Sequence, residues 1–306
     1  MYDISQIRTA ISHPKLIIRE ANRLYHTKFG QHEYNPGGID IFSKDWDNLI
    51  ILDACRYDMY EEVLSDTTKL QKVQSRGSGT VEFVSSNILG RELHDTVYVT
   101  ANPQYHKHTT DSCQEFHHVC EIWKGAGWNN EIGTVLPETM VRETKKAANK
   151  FENKRIISHF LQPHYPFLSG NTDFDKGNMK SDNELGDFWR QIYLGELDVS
   201  PEIIWKEYKS NLNRVMESVE ELKKELTGKT IITSDHGNMV GEPATPLPVK
   251  EWGHPLQIYT DELVSVPWHE VSSGPRKEII PEPPEKFDAT DNKEVVADRL
   301  ADLGYI

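Results

Sequence analysis

The stretch "NLIILDAC", residues 48–55, decides the fold class. Its apolar residues run without a break from Leu49 to Leu52, and the run ends at Asp53. A short continuous apolar run is typical of a strand that is buried on both faces, as the strands of a parallel sheet are. The stretch therefore predicts a central strand with a carboxylate at its carboxyl end.

Three other stretches repeat this pattern, and helical patterns separate them. The apolar runs are "TVYVTAN" (96–102), "KRIISHFLQ" (154–162) and "KTIITSD" (229–235), and the helical patterns span 56–66, 80–90, 136–151 and 200–228. In the last helix, Pro201 suits the first turn and Gly228 suits a C-terminal stop. Strands that alternate with helices predict an α/β fold, with a central, mostly parallel sheet and helices on both faces.

The N-terminal flank is amphipathic. In "HPKLIIREANRLYHTKFG" (13–30), apolar residues share one stripe of a helix and basic residues surround the stripe. The stripe consists of Ile17, Ile18, Ala21, Leu24 and Tyr25, and the basic residues are Lys15, Arg19, Arg23 and Lys28. We expect the stripe to pack on the chain's own domain, and the alternative is a peripheral contact with a membrane surface or a protein partner.

The C-terminal flank differs in composition from the middle of the chain. "GPRKEIIPEPPEKFDATD" (274–291) is Pro-rich and charged, which predicts an extended tether. A short helix follows, which Val295, Val296, Leu300 and Leu303 would dock. The sequence thus divides into an N-terminal helix and connection (1–44), a main α/β domain (45–273), and a tether with its helix (274–306).

Composition limits the classes of function. The chain has 306 residues, 37% of them hydrophobic, and a formal net charge of −14, which disfavours nucleic acid as a partner. Three cysteines cannot all pair within one chain, and the spacing in "CQEFHHVC" (113–120) does not fit a zinc site built on CxxC. Because no apolar run approaches the length of a bilayer span and no signal sequence is visible, we expect a cytoplasmic protein, at most peripheral to a membrane.

The strand ends carry the candidate metal ligands. Asp53 ends the first apolar run, and Asp235 with His236 ends the fourth. In an open α/β sheet, ligands bind beyond the carboxyl ends of the strands. If both strands are central, two carboxylates and an imidazole meet in one crevice, and this set suits a divalent cation.

A fourth candidate lies in "QSRGSGTVEFVSSN" (74–87). Gly77 and Gly79 bracket a turn, and Thr80 then opens a helix, where backbone N–H groups and the helix dipole favour an anion. Thr80 taken alone is an N-cap residue, a common role for threonine. Together with Asp53 and "SDHG", it is better interpreted as a nucleophile activated by the cation.

Together with other motifs of the chain, these residues resemble the alkaline phosphatase superfamily, in particular its sulfatase-like and phosphodiesterase-like branches. The resemblance rests on "NLIILDACRYD", "SRGSGTVEF", "QPHYPF", "TSDHG", "WGHP" and the terminal "LADLGYI", in this order along the chain. It covers roughly residues 45–270 and the tail. It implies an alkaline-phosphatase-like catalytic domain over 45–273.

The resemblance also implies a metal centre. Asp53, Thr80, Asp235 and His236 would surround one divalent cation (zinc, manganese or magnesium), with Thr80 as the nucleophile. His164 in "QPHYPF" and His254 in "WGHP" match positions that hold a second metal or the substrate's anionic group in the family.

Because two ligands do not complete a second metal site, we expect one cation, with a second one allowed for near His164 and His254. These two histidines would bind substrate or give a proton to the leaving group. Arg76 would bind an oxyanion of the substrate in a bidentate way. The weaker candidates are Asn102, His106, His108, His159 and Lys250, which we expect at the surface or in the framework, and Arg56, which we expect to be structural.

Differences between this sequence and the family pattern indicate which branch of the superfamily it resembles most. Sulfatases make a formylglycine within a C/S-x-P/A-x-R motif, whereas here Ser78 is followed by "GTVE". Our main hypothesis is a metal-dependent hydrolase of phosphate mono- or diesters that works through a covalent phosphothreonine on Thr80. The enzymatic alternatives are a sulfatase-like hydrolase and a phosphoglycerol or phosphoethanolamine transferase acting on a glycan or lipid-linked substrate. The non-enzymatic alternative is a member that only binds a metal or an anion.

Overall fold

The four apolar runs form adjacent or near-adjacent strands of one seven-stranded sheet. The computed structural model describes residues 13–29, 33–108, 115–169, 188–273, 275–285 and 293–303. Residues 1–12 of the N-terminal segment, 286–292 of the tether and the last three residues of "LADLGYI" lie outside these ranges. The division into three segments therefore stays a prediction.

The sheet is parallel at its centre and antiparallel at one side. Its strand order is β2–β11–β8–β1–β7–β3–β4, and β11 runs antiparallel to both β2 and β8. The strands are β1 (Asn48–Leu52), β2 (Leu70–Gln74), β3 (Leu93–Thr100), β4 (Phe116–Glu121), β7 (Arg155–Phe160), β8 (Gly228–Thr233) and β11 (Ser265–Ser273). The predicted α/β fold with a mostly parallel central sheet is confirmed. The sequence did not indicate β2, β4 or β11.

Helices cover both faces of this sheet. They are α1 (Pro14–Leu24), α2 (Tyr57–Val63), α3 (Thr80–Asn87), α4 (Gln104–His108), α5 (Pro137–Lys150), α6 (Phe188–Leu194), α7 (Pro201–Glu225), α8 (Asp261–Val264) and α9 (Lys293–Asp302). Two short ladders complete the described structure, β5 (Trp128–Asn129) with β6 (Thr134–Val135) and β9 (Met239–Pro243) with β10 (Lys250–Gly253).

Strand β1 shows how one run serves two cores. Successive side chains of a strand point to opposite faces of its sheet. Leu49 and Ile51 accordingly pack in the core that contains Phe83 of α3, whereas Ile50 and Leu52 pack in the larger core under α5 and α7. Because both faces are covered, β1 has no polar residue between Leu49 and Leu52.

The predicted end of the long helix is wrong by three residues. Helix α7 ends at Glu225, and Gly228 instead begins β8 with a φ of +94°. A side chain there would collide with Asp47, because a Cβ on Gly228 would lie 2.4 Å from Asp47 Oδ2. Glycine is therefore required for a close approach at the strand start and not for the helix stop.

Residues 275–285, here called the C-terminal strap, cross the amino ends of the parallel strands. Lys277 Nζ donates to Asn48 Oδ1 at the start of β1, at 2.9 Å. Farther along, backbone N–H groups of the strap donate to carbonyls that precede β7 or begin β3 and β4: Ile280 to Asn153, Glu282 to His94 and Glu285 to His117. The strap thus ties together the edge of the sheet opposite to the strand ends that carry Asp53 and Asp235.

The buried side chain of Lys154 binds the strap, and replacing this residue tests the attachment. Its side chain is 2% exposed, and Nζ lies 2.6 Å from both Ile280 O and Glu282 Oε2. We expect Lys154→Met to lower the free energy of unfolding by about 1–3 kcal/mol, since the Ile280 carbonyl and the Glu282 carboxylate both lose their charged donor. Urea denaturation measures this. Lys150→Met is the matched control, because Lys150 pairs with Glu285 in solvent and should contribute less than about 1 kcal/mol. Equal losses in the two variants would contradict the anchoring role.

Candidate metal centre

The carboxyl ends of β1 and β8 bring three of the predicted ligands together. The two strands are parallel neighbours in register from Asn48 with Thr230 to Ile51 with Thr233. Asp53 follows one strand, and Asp235 and His236 follow the other, so all three lie at the same edge. One ligand atom from each lies within 4.8 Å of the others, and all three side chains are fully buried.

Ser234 fixes the turn between the two strand ends. Its hydroxyl lies 2.6 Å from the carbonyl oxygens of Leu52 and His236 and accepts a hydrogen bond from Cys55 N at 2.9 Å. The backbone N–H groups of Ala54 and His236 both donate to Asp235 Oδ1, at 3.0 and 2.9 Å. One oxygen of Asp235 is thereby held by the backbone, and Oδ2 is turned toward the crevice.

Gly237 lets the chain leave the cluster. Its N–H donates to Leu263 O at 2.7 Å, and a Cβ at this position would lie 2.0 Å from Glu262 O. Only glycine fits so close to the backbone of α8. The contact also orients His236, whose Nδ1 lies 2.7 Å from Gly237 O, so that Nε2 faces the two carboxylates.

Thr80 lies inside this cluster. It is the first residue of α3, after the extended N-cap residue Gly79. Its Oγ1 donates to Asp235 Oδ2 at 2.7 Å and lies 3.3 Å from His236 Nε2. The side chain is therefore turned toward the candidate ligands, and the N-cap position that Thr80 alone would suggest is taken by Gly79.

Asn102 connects two members of the cluster, a position that the sequence did not lead us to expect. It follows β3 and is 1% exposed. Its amide donates to Asp53 Oδ2 at 2.7 Å and approaches Thr80 Oγ1 at 3.4 Å, while its Oδ1 accepts from Gln104 N. The available signal was its place at a strand end, which it shares with Asp53 and Asp235.

His159 is the second weak candidate that the structure brings to the centre. On β7, its Nδ1 lies 2.7 Å from the Tyr98 hydroxyl, and its Nε2 lies 3.6 Å from Asp235 Oδ2. Tyr98 and His159 are both at most 1% exposed. The pair forms a wall behind Asp235, and its packing against Phe83 at a ring distance of 6.4 Å ties it to α3.

Two further histidines lie against His236. The ring centres of His236 and His254 are 4.7 Å apart, and those of His164 and His254 are 4.9 Å apart. His164 Nδ1 lies 2.5 Å from Tyr165 O, and His254 Nδ1 lies 3.3 Å from Asn238 Oδ1. In the neutral form, both rings donate through Nδ1 and carry their lone pair on Nε2.

The charges of the cluster are strongly coupled. Burial disfavours the imidazolium of His236, but Asp235 and Asp53 outweigh this effect and raise the pKa of His236 to about 9. Burial likewise disfavours the Asp235 carboxylate, but His236, His159 and the Thr80 hydroxyl together outweigh it and hold the pKa of Asp235 well below its usual range. Burial, and then the charge of His236, lower the pKa of His254 far below the usual histidine value. Without a metal, a buried ion pair with one excess carboxylate occupies the crevice.

Other predicted candidates lie away from this centre. Arg76 Nη1 donates to Ser86 O at 2.9 Å, and the guanidinium also contacts Asp40 and the ring of Tyr34. It is therefore engaged beside α3 and does not face the cluster. The remaining candidates lie elsewhere too: His106 pairs with Glu121, His108 and Lys250 are exposed, and Arg56 pairs with Asp58 and Glu242.

The residues present fit a divalent cation. Two carboxylates, one imidazole and one hydroxyl are the donor types that zinc, manganese and magnesium accept. Burying two carboxylates costs free energy that one protonated histidine offsets only in part, and a cation would neutralise the excess. Within the described ranges, this is the one group of three or more such side chains close enough to share an ion.

No family model and no curated protein matches the chain. Among solved structures, the C-terminal periplasmic domain of EcEptC from Escherichia coli, in complex with Zn, is 13% identical with a TM-score of 0.46, over 79% of this chain and 76% of that one. The soluble domain of lipooligosaccharide phosphoethanolamine transferase A from Neisseria meningitidis is 12% identical with a TM-score of 0.43, over 72% and 74%. A protein in the alkaline phosphatase superfamily from Vibrio parahaemolyticus is 9% identical with a TM-score of 0.40, over 93% and 75%.

The Vibrio parahaemolyticus protein is of the superfamily that the sequence motifs resemble. At such TM-scores and identities the three structures carry no argument about the reaction of this chain. The expectation of a cytoplasmic protein is wrong by this comparison, because the Escherichia coli structure is a periplasmic domain, and we withdraw it. None of the helices in the described part of the chain is long and apolar enough for a bilayer crossing.

The charge coupling can be measured in metal-free protein. We expect the His236 ring to titrate near pH 9 in a nuclear magnetic resonance titration, and to titrate at a clearly lower pH in Asp235→Asn, since the carboxylate charge is removed. His254 should stay neutral across the same range. Because the folded-state pKa of His236 is raised from 6.5, its protonation stabilises the metal-free fold fully below pH 6.5, and this contribution is lost as the pH rises through 9. An ordinary His236 titration near 6.5 would contradict the coupling.

Proposed function

We propose that the chain is a metal-dependent enzyme that cleaves a phosphoester by transferring the phosphoryl-containing group to Thr80. One observation carries the proposal: Thr80 Oγ1 lies 2.7 Å from Asp235 Oδ2 and 3.3 Å from His236 Nε2, inside a buried set of candidate metal ligands. A binding protein would not need a hydroxyl there. This arrangement therefore speaks against the non-catalytic alternative.

Asp53, Asp235 and His236 would hold the cation, with the Thr80 hydroxyl as a further donor. When bound, a divalent cation lowers the pKa of a coordinated hydroxyl and stabilises negative charge on the reacting group. His236 must lose its proton to act as a ligand. Gly237 O keeps the ring in the tautomer whose Nε2 faces the cluster.

In the attack step, the Thr80 oxygen forms a bond to phosphorus while the bond between phosphorus and the leaving alcohol oxygen breaks. Thr80 gives up one proton and the leaving oxygen takes up one. The amide of Asn102, at 3.4 Å from Thr80 Oγ1, holds the nucleophile and Asp53 in one arrangement. Backbone N–H groups in the first turn of α3 would stabilise the developing charge.

His164 and His254 are better suited to orient the acceptor, the water or alcohol that attacks the phosphothreonine, than to protonate the leaving group. Burial keeps the pKa of both rings low, so the neutral forms dominate, and their Nδ1 donors face carbonyl or amide oxygens. A neutral ring that carries its lone pair on Nε2 accepts a hydrogen bond and cannot donate one there. We therefore assign them to orienting the hydroxyl of an incoming acceptor, or to a second cation.

The acceptor separates a hydrolase from a transferase. Attack by water on the phosphothreonine completes hydrolysis, whereas attack by an alcohol completes transfer; in both, the bond from phosphorus to the Thr80 oxygen breaks and Thr80 regains a proton. Transfer is the second candidate, and the exposed side chain of Leu256 favours it. This side chain packs against Gly79 beside the nucleophile and offers an apolar rim to a lipid-linked substrate. Phosphoethanolamine transfer by one of the similar structures agrees with this candidate without carrying it.

Metal binding tests the assigned ligands. We expect metal-free protein to bind one Zn²⁺ or Mn²⁺ per chain tightly, and Asp235→Asn to weaken binding by about 100-fold or more, because a charged ligand is lost. Affinity should fall by about tenfold for each pH unit below 9, since binding must displace the His236 proton. Isothermal titration calorimetry measures both effects. Asp261→Asn is the control, as this exposed carboxylate pairs only with Lys72 in the described structure.

Replacement of Thr80 tests the nucleophile. We expect Thr80→Ala to lower turnover of an aryl phosphate or phosphodiester by at least about a thousandfold, because the covalent route is lost, while metal binding is partly retained. Thr80→Ser keeps a hydroxyl and should retain measurable turnover. Mass spectrometry of acid-quenched wild type should find the phosphoryl group on Thr80.

The same assay compares donors and acceptors. An aryl sulfate placed beside the aryl phosphate separates sulfatase-like from phosphoester chemistry, and added glycerol gives a glycerol phosphate product if the enzyme is a transferase. Unchanged turnover in Thr80→Ala would remove Thr80 from the mechanism.

A further inference from the structure

Helix α1 is attached to the protein through its polar side. Arg19 pairs with the buried carboxylate of Glu251 on β10, with its Nε at 2.9 Å from Glu251 Oε2, and its guanidinium lies 3.6 Å from the ring centre of Tyr193. Asn22 is fully buried, and its side-chain amide exchanges two hydrogen bonds with the backbone of Leu247, at 2.9 and 2.8 Å. The residues expected to face water thus form the attachment.

The apolar side of α1 consequently faces outward. Ile17 is 55% exposed, Ile18 is 37% exposed and Tyr25, at the helix end, is 50% exposed. The sequence predicted one apolar stripe here and expected it to pack on the domain. In the structure three residues of the stripe are exposed, whereas Ala21 and Leu24 are half-buried. Leu247, which the attachment holds beside α1, is 45% exposed and extends this surface. We call the four side chains the outer apolar face.

Two features identify the chemistry of an occupant. Exposed Lys15 and Lys28 lie near the two ends of the outer apolar face. The helix and its π-helical extension (Tyr25–Phe29) carry four Lys or Arg and a single Glu, in a chain of net charge −14. Arg19 is paired with Glu251 and Arg23 with Glu20, so the positive charge of this surface comes from the two lysines. An apolar strip with an aromatic residue and flanking lysines matches the boundary between head groups and acyl chains of an anionic bilayer. Local positive charge on an acidic protein would attract such a surface and orient the chain on it.

The outer apolar face is also connected to the candidate metal centre. Arg23 Nη1 donates to Gln257 Oε1 at 2.6 Å, and Glu251, the partner of Arg19, lies three residues before His254. Between these anchors, exposed Leu256 packs against Gly79, next to Thr80. Helix α1 therefore lies along the segment that borders the metal centre, so docking through α1 would bring that border toward the same surface.

We propose that α1 is an interfacial docking helix, which places the chain on an anionic lipid surface through Ile17, Ile18 and Tyr25. Binding needs neither the metal nor Thr80, so it is independent of the proposed reaction. A substrate whose phosphoester is anchored in that surface would then meet the centre from the side of Leu256.

Vesicle co-sedimentation of the full chain tests the proposal. The vesicles contain phosphatidylcholine alone or phosphatidylcholine mixed with phosphatidylglycerol, each at low and high salt. We expect the wild type to bind the mixed vesicles, to bind them less at high salt, and to bind phosphatidylcholine weakly. Ile17→Ser/Ile18→Ser should weaken binding to mixed vesicles by at least about tenfold, because two anchoring side chains are lost.

Ile203→Ser/Ile280→Ser is the matched control. It removes two isoleucines that are 45% and 37% exposed, on α7 and on the C-terminal strap, and should bind vesicles as the wild type does. Thermal unfolding of both double variants shows that they are folded. The proposal is overturned if the wild type ignores the mixed vesicles, or if the two double variants bind equally. It is also overturned if sedimentation velocity shows a dimer that only Ile17→Ser/Ile18→Ser dissolves, since a second copy would then cover the face.

Discussion

The parallel pairing of β1 with β8 is the constraint on which the rest of the site depends. Because both strands run the same way and end together, Asp53 and Asp235 leave the sheet at one edge, where the hydroxyl of Ser234 connects the two strand ends. A one-residue slip in this pairing would turn one of the carboxylates toward the opposite face.

This pairing has an electrostatic cost that the surrounding residues are arranged to meet. Two carboxylates and an imidazole are fully buried in one crevice, and backbone N–H groups, the Asn102 amide and the Thr80 hydroxyl all point at them. A buried charge persists only when it is paired and hydrogen-bonded. The high pKa of His236 in the metal-free chain reflects the same excess of negative charge. In the proposed centre, metal affinity, the position of Thr80 and local stability are therefore properties of one cluster, and we expect them to change together.

The sequence predicts the central strands of the fold and the core of the candidate site for physical reasons. These reasons do not extend to the flanking strands and the surrounding side chains. Unbroken apolar runs indicate strands buried on both faces, and strand ends then locate Asp53, Asp235 and His236 without any contact information. The Gly-Thr start of a helix places Thr80 by the same logic.

Strand β11 escapes this logic because its Pro267, His269 and Glu270 break the apolar run, as an antiparallel flank permits. Asn102 was expected in the framework but lies in the cluster, whereas Arg76 was expected to bind substrate but lies beside α3. A side chain's partners depend on tertiary contacts that residue type does not specify. Periodicity likewise finds the stripe on α1 but cannot tell which side is attached, and the buried Glu251 decides that.

The C-terminal strap holds the amino ends of the parallel strands, whereas the candidate ligands lie at their carboxyl ends. Spaced contacts, and not a continuous ladder, join it to β1, β7, β3 and β4 in that spatial order: Lys277 with Asn48, three backbone hydrogen bonds, and two further contacts from Lys154. A force applied to the far end of the strap would break these hydrogen bonds one after another. The same force applied along the strands would load all of their hydrogen bonds at once. Force on the strap would therefore reach the amino ends of the strands first, at the opposite end of the sheet from Asp53 and Asp235.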